Sequence, residues 1–238
     1  MRIDWHFDRK DISGISQLIK EQSSKDVVVQ RIRKNVDRVG IDISNRATWR
    51  GFVGCLVTTQ QSSGKNSKVE QFMRSESPVL DLETCVKTKN FAGKASKLLS
   101  AAGLRRNLVI GQQLEAALPA FSRGDWTKIN NSLKTILESS TLESEREISR
   151  MFRSKFSGLG PKQSRNLIQT LGLSRYIVPI DSRFAKHLKE ISFPIPVSAL
   201  ALQDETYYCF VEDGIQRLAD ALGIYPCVYD ASVFASLG

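Results

Sequence analysis

At 238 residues, 41% of them hydrophobic, the chain is long enough for one large domain or two small lobes and has the make-up of a soluble globular protein. No apolar run approaches the roughly 20 residues of a membrane span, and the first ten residues mix charged with apolar positions. An intracellular, soluble protein without a secretory leader or membrane partner is therefore expected. The net charge of +9 is unevenly spread: residues 191–238 hold six acids (Asp204, Glu205, Glu212, Asp213, Asp220, Asp230) and one base, Arg217, leaving 33 bases and 19 acids in residues 1–190. Such a field attracts polyanions, nucleic acid being the commonest; an ordinary basic protein is the equal alternative on charge alone.

In chain order the patterns are helical, and no alternating run is bounded by hairpin signals. Residues 12–20 place Ile12, Ile15, Leu18 and Ile19 at helical spacing, whereas 27–39 reads equally as helix or extended chain. Residues 49–61 read as a buried helix carrying Phe52, Val53, Leu56 and Val57, stopped by Ser62, Ser63 and Gly64. A short amphipathic piece follows at 70–73. Residues 84–114 contain six bases (Lys87, Lys89, Lys94, Lys97, Arg105, Arg106) and no acid, over two helical patterns separated by Gly103. This is a basic stripe or a solvated face. Further helical patterns run over 108–121, 126–137 and 143–156. The last starts with Glu143, Glu145 and Glu147 and ends with Arg150, Arg153 and Lys155, matching the helix dipole. Turns follow Pro194, then helices at 205–222 and 229–237.

Cys55, Cys85, Cys209 and Cys227 are far apart and form no C-x-x-C pair. Their spacing suggests neither zinc, an iron–sulfur cluster nor a disulfide framework, and buried thiols in a reducing compartment are expected. No cofactor and no metal site is expected.

The pattern ending at Phe156 runs into Ser157-Gly158-Leu159-Gly160-Pro161, and a new helix begins at Lys162 with Leu167, Ile168 and Leu171 facing inward. Gly158 and Gly160 let the backbone turn sharply while Leu159 plugs the core. Backbone N–H groups at the next helix start are then positioned to hold a phosphate without reading bases. Many glycine-linked helix pairs do no more than turn the chain. Lys162 meets the positive end of that helix's dipole, and Arg165 one turn on adds like charge; Schiff-base lysines occupy such surroundings. Read singly, Lys162 is a solvated surface lysine. In Val178-Pro179-Ile180-Asp181, Pro179 enforces an extended approach and Asp181 falls at an N-cap position before Phe184, Ala185 and Leu188. Capping alone explains an aspartate there, yet a carboxylate so placed can also support positive charge developing on a sugar ring.

Together, Gly158-Leu159-Gly160-Pro161-Lys162 and Val178-Pro179-Ile180-Asp181 closely resemble the signature of the helix-hairpin-helix-Gly-Pro-Asp superfamily of DNA glycosylases. The residues 52–61, Phe-Val-Gly-Cys-Leu-Val-Thr-Thr-Gln-Gln, look like the family's helix ending in a Ser-Gln-Gln type sequence. Gly103-Leu104-Arg105-Arg106-Asn107 looks like its glycine-basic lead into the next helix. The resemblance covers about residues 45–190 and is weak outside them. It implies an all-α fold of two helical lobes with the site in the cleft between them. One lobe is expected at 45–183, containing the hairpin at 143–172, and the other at 1–44 plus 184–238.

The implied activity is excision of a damaged base from double-stranded DNA followed by strand nicking. Lys162 attacks C1′ of the flipped nucleotide, an imine forms, and the 3′ phosphate is lost by β-elimination, with Asp181 as the acidic partner. Gly158, Leu159, Gly160, Arg165 and Arg183 are the expected backbone-binding residues. Gln60 and Gln61 are expected to fill the gap or touch the estranged base, or else simply to end a helix. The chain departs from the family in carrying Arg183 where His is common. It also lacks the cluster-binding cysteines of the endonuclease III branch. Both that absence and Lys162-Gln163-Ser164-Arg165-Asn166 look more like the compact prokaryotic 8-oxoguanine glycosylases, so a monomer in a prokaryotic cytoplasm or nucleoid is expected. Asp230, Phe234 and Phe210 are candidates for the base pocket, although at helical spacing such residues are more often core. An oxidised pyrimidine, uracil or mismatched thymine as the target base, or a non-catalytic DNA-binding module, remain the alternatives.

Overall fold

The structure, a computed structural model, describes residues 4–62, 64–122 and 124–237; Ser63, one of the expected helix stops, lies outside the described residues. Among the described residues the regular elements are helical, in thirteen α-helices. The chain opens with α1 (Arg9–Gln22) and α2 (Asp26–Arg31), the latter running into a π-helical turn at Ile32–Val36. Then come α3 (Asn45–Val57), α4 (Lys68–Arg74), α5 (Leu82–Lys87), α6 (Phe91–Ala101), α7 (Asn107–Ser122) and α8 (Asp125–Glu138). The hairpin pair is α9 (Leu142–Lys155) and α10 (Pro161–Thr170), followed by α11 (Ser182–Glu190), α12 (Glu205–Ala221) and α13 (Pro226–Ser236).

Local chemistry sets most helix starts. Ser44, Ser67, Asp81, Thr141, Asp181 and Asp204 each accept hydrogen bonds from backbone N–H groups of the helix they precede, and Pro161 and Pro226 occupy first helical positions. Of residues 27–39, ambiguous by pattern, 27–36 are helical, ending in a π turn that buries Asn35, whose side-chain amide donates to Gln169 O at 3.1 Å; 37–39 are not helical, with Arg38 at φ 60°. The helix expected to reach Gln61 ends at Val57. The hydroxyls of Thr58 and Thr59 fold back on Cys55 O, and Gln60 takes a left-handed conformation (φ 60°).

The larger core is built from α3 to α10 around an aromatic cluster in which Phe156 stacks on Phe121 at 5.0 Å between centroids, with Phe52, Trp49 and Phe152 beside them. A second core gathers Val178, Ile180, α11, α12, Tyr229 and Val233 of α13, and Ile15 of α1. Val28 of α2 packs on Cys227, Val228 and Ala231 of α13. Along the chain after α10, the buried residues of the first core end at Ile177 and those of the second begin at Val178; α1 and α13 both contribute to the second core.

Candidate active site

The glycine hairpin joins the two helices that carry the site. Phe156 caps α9 from within the aromatic core, and Leu159 is buried between the glycines. Gly158 has φ +92°, a conformation that favours glycine; a Cβ there would lie 2.5 Å from the amide end of the Gln113 side chain, which would have to move aside. Gly160, at φ −85°, needs no such freedom and serves as the residue before Pro161.

Lys162 therefore stands in the first turn of α10, and it lines a cleft of about 1240 Å³ together with Pro179, Asp181, Ser182 and Arg183. The Asp181 carboxylate caps α11: Oδ1 accepts from the N–H groups of Arg183 (2.9 Å) and Phe184 (3.0 Å). Oδ2 accepts from the Arg183 guanidinium at 2.7 and 3.0 Å. That guanidinium lies 4.2 Å over the ring of Phe234, which also lines the cleft.

The segment leading to Asp181 is held from two sides. The buried Glu145 carboxylate on α9 accepts from three consecutive backbone N–H groups, Arg175, Tyr176 and Ile177, at 2.8, 2.9 and 3.0 Å. Burial pushes that carboxyl above its ordinary value against the pull of these bonds. Further along, the buried Tyr208 hydroxyl donates to Val178 O (2.9 Å) and accepts from Ile180 N–H (2.7 Å). Sequence reading assigned Glu145 only to the helix dipole and missed Tyr208. Both act on backbone groups roughly 30 residues away, which no local pattern reveals.

Arg165 is the chief correction. Its side chain is 0% exposed, so it reaches neither a phosphate nor solvent. Its guanidinium donates to Glu212 at 2.9 and 3.0 Å, to Glu205 at 2.8 and 3.0 Å, and to Ser149 Oγ at 2.9 Å, and lies 4.3 Å over Tyr208. Two carboxylates balance its charge, so it adds no unpaired like charge beside Lys162. Arg146 donates to the same Glu212 and to Asp213. Helices α9 and α10 are thus tied by ions to α12 of the other lobe.

Of the base-pocket candidates, Asp230 and Phe234 line the cleft, whereas the half-buried Phe210 packs on Trp5 at 5.3 Å and is not part of the lining. Oδ2 of Asp230 accepts from Arg31 Nη1 (2.9 Å) and Gln169 Nε2 (2.8 Å). Burial outweighs the pull of Arg31 and pushes this carboxyl up to about 6. Gln60 is exposed at the cleft edge. Gln61 is turned inward: its side chain accepts from Arg105 N–H at 3.0 Å and donates to Val57 O, stapling this turn to the basic turn after Gly103.

Arg31, Lys34, Asn166 and Gln169 also line the cleft and were not anticipated from sequence. Asn166 and Gln169 follow Lys162 by four and seven residues, the spacing that keeps side chains on one helix face; that spacing was the signal available. No described helix is long and apolar enough to cross a membrane.

A glycine hairpin with a lysine on its second helix and a Val-Pro-x-Asp cap lining the same two-lobed helical cleft has the architecture of the helix-hairpin-helix-Gly-Pro-Asp fold. No family model matches the chain, and no curated protein matches its sequence. Solved structures do match. The 8-oxoguanine DNA glycosylase of Methanocaldococcus jannaschii aligns over 94% of this chain and 91% of its own, with TM-score 0.65 and 15% identity. That of Thermotoga maritima aligns over 94% and 95%, with TM-score 0.67 and 14% identity. The M. jannaschii 8-oxoguanine glycosylase/lyase in complex with 15mer DNA containing 8-oxoguanine aligns over 93% and 95%, with TM-score 0.66 and 13% identity. At this identity the likeness is one of fold: the chain has the all-α fold of these glycosylases along nearly its whole length.

Proposed function

We propose that this protein is a base-excision DNA glycosylase with associated strand-nicking activity, and that 8-oxoguanine in double-stranded DNA is its substrate. The observation that carries the reading is that Lys162, in the first turn after the hairpin, and Asp181, capping the next helix, line one cleft. The shared fold with 8-oxoguanine glycosylases supports the substrate class. Six bases line the same cleft (Arg31, Lys34, Arg50, Lys65, Lys162, Arg183) against three acids (Asp42, Asp181, Asp230), which suits a polyanion.

In this reading the hairpin holds the phosphate backbone through its N–H groups, and the flipped nucleotide enters between Lys162 and Asp181. The Lys162 amine attacks C1′, the bond from C1′ to the base breaks, and the base leaves with the bonding electrons. Asp181 stabilises the positive charge that develops on the sugar. The C1′–O4′ bond then opens, O4′ leaving as a hydroxyl, and the protonated imine so formed acidifies the C2′ proton, whose loss expels the 3′ phosphate. Asp230 and Phe234, which line the cleft, would hold the base, and Gln60, which also lines it, would touch the opposite strand. Arg183 would exchange its contact with Asp181 for a phosphate. The protein acts as a monomer within the cell and takes no cofactor.

Borohydride reduction in the presence of duplex containing 8-oxoguanine opposite cytosine is expected to trap a covalent protein–DNA adduct. Lys162→Gln is expected to abolish the adduct while leaving duplex binding within a few-fold. An unchanged adduct yield in that variant would overturn the assignment of the nucleophile. Salt-sensitive binding without excision or nicking would make the protein a DNA-binding module instead.

A further inference from the structure

A second cavity, of about 780 Å³, lies on the flank of α11. Ala185 of α11 lines it together with Phe193, Ile195, Val197 and Leu202 from the connection between α11 and α12. Asp181 and Ser182 line both this cavity and the cleft, whereas Lys162, Asp230 and Phe234 line the cleft alone. The excision chemistry therefore leaves the second cavity unused.

Its apolar wall is fixed by the fold. Phe193 N–H donates to Leu188 O at 2.9 Å, the Phe193 ring stacks on Trp5 at 5.4 Å between centroids, and Pro196 O accepts from the Tyr207 hydroxyl at 2.6 Å. Pro194 and Pro196 each lock a backbone torsion between these anchors. A preformed apolar cavity of this size suits a drug-sized molecule, because little ordering is needed to fill it.

The charges that line it are of one effective sign. Its bases are Lys186 and Lys189, both exposed, and its one acid is Asp181. Both oxygens of that carboxylate are engaged, by two N–H groups of α11 and by Arg183. Lys186 meets Glu190 at 3.6 Å with both side chains more than half exposed, a weak pair, and Lys189 makes no ion pair among the described residues. Three residues apart on one helix, the two ammonium groups are near enough for one anion to bridge them. A nucleic acid would satisfy the lysines and leave the apolar wall wet; a neutral apolar molecule would do the reverse.

We propose that this cavity binds a small amphiphilic anion, whose aliphatic or aromatic body fills the apolar space and whose single acidic headgroup lies between Lys186 and Lys189. The site does not depend on the glycosylase reading, and its test involves no DNA.

The test is calorimetric titration of the protein with decanoate, decan-1-ol and decyltrimethylammonium, three probes with one apolar body and different heads, kept below micelle formation. Decanoate is expected to bind about 10-fold tighter than the alcohol or better, and the cation most weakly. Replacing both lysines (Lys186→Glu with Lys189→Glu) should erase the advantage of decanoate while leaving the alcohol within about 3-fold. Ala185→Trp, which fills the cavity, should weaken decanoate and alcohol alike by about 10-fold or more. Decanoate that binds wild type no tighter than the alcohol overturns the proposal, as does undiminished decanoate binding in the double lysine variant. Both lysines are exposed, so that variant decides the matter even if Ala185→Trp fails to fold. A peptide of alternating Asp and Leu that binds wild type and not the double variant, where decanoate does not bind at all, would make the cavity a protein-docking groove and overturn the proposal too.

Discussion

Oδ1 of Asp181 is occupied by two backbone N–H groups of α11 and Oδ2 by the Arg183 guanidinium, so the residue caps a helix and presents a charge at once. Asparagine accepts the same capping bonds without the charge. Asp181→Asn is therefore expected to melt within about 2 °C of wild type while single-turnover excision slows by about 100-fold or more. A wild-type rate would remove the carboxylate from the chemistry. Lys162 and Asp181 were legible as a pair because hairpin and cap each leave a short local pattern. Arg165 was misread for the opposite reason. Its charge is visible in the sequence, but its burial depends on Glu205 and Glu212, 40 and 47 residues away. Gln169 shares a helix face with Lys162, but its bond to Asp230, 61 residues on, leaves no local trace.

The element on which the site depends is the hairpin joining α9 to α10. Its first arm is anchored by Phe156 in the aromatic cluster and its tip by Leu159, while Gly158 turns the chain under Gln113. Gly158→Ala would impose a left-handed conformation on a side-chain-bearing residue and drive its Cβ into Gln113. A loss of about 1–3 kcal/mol is expected, together with DNA affinity weakened several-fold for damaged and undamaged duplex alike. Denaturant melts and a binding titration check this, and a variant as stable and as tightly bound as wild type would show the turn tolerates a side chain. Helix existence was readable almost everywhere because caps and apolar spacing act over a few residues. Ends were less so: α3 stops at Val57 since two threonine hydroxyls and the turn at Gln60 outcompete continuation.

Across the whole molecule, the acidic C-terminal segment and the basic remainder meet inside the fold. Glu205, Glu212 and Asp213 of α12 pair with Arg153, Arg165 and Arg146 of the hairpin helices. Part of the charge asymmetry is therefore spent in joining the lobes, and the cleft keeps an excess of bases for a polyanion. Arg165→Ala would strand the fully buried Glu212 with Arg146 alone and should lower stability by about 3–5 kcal/mol, or on the order of 10 °C in melting temperature. Arg165→Lys, unable to make the paired contacts, should fall between. A melt of Arg165→Ala within about 1 kcal/mol of wild type would show that the ions do not clamp the lobes. By itself the sequence determined most of the helices and the glycine turn, and marked a lysine and an aspartate that line one cleft, because those follow from backbone preference and short-range spacing. Only the tertiary structure decided which charges are interior, where one core gives way to the other, and which distant residues share the cleft. Each of these depends on contacts between residues far apart in the chain, where burial turns an ordinary side chain into one that must find a partner.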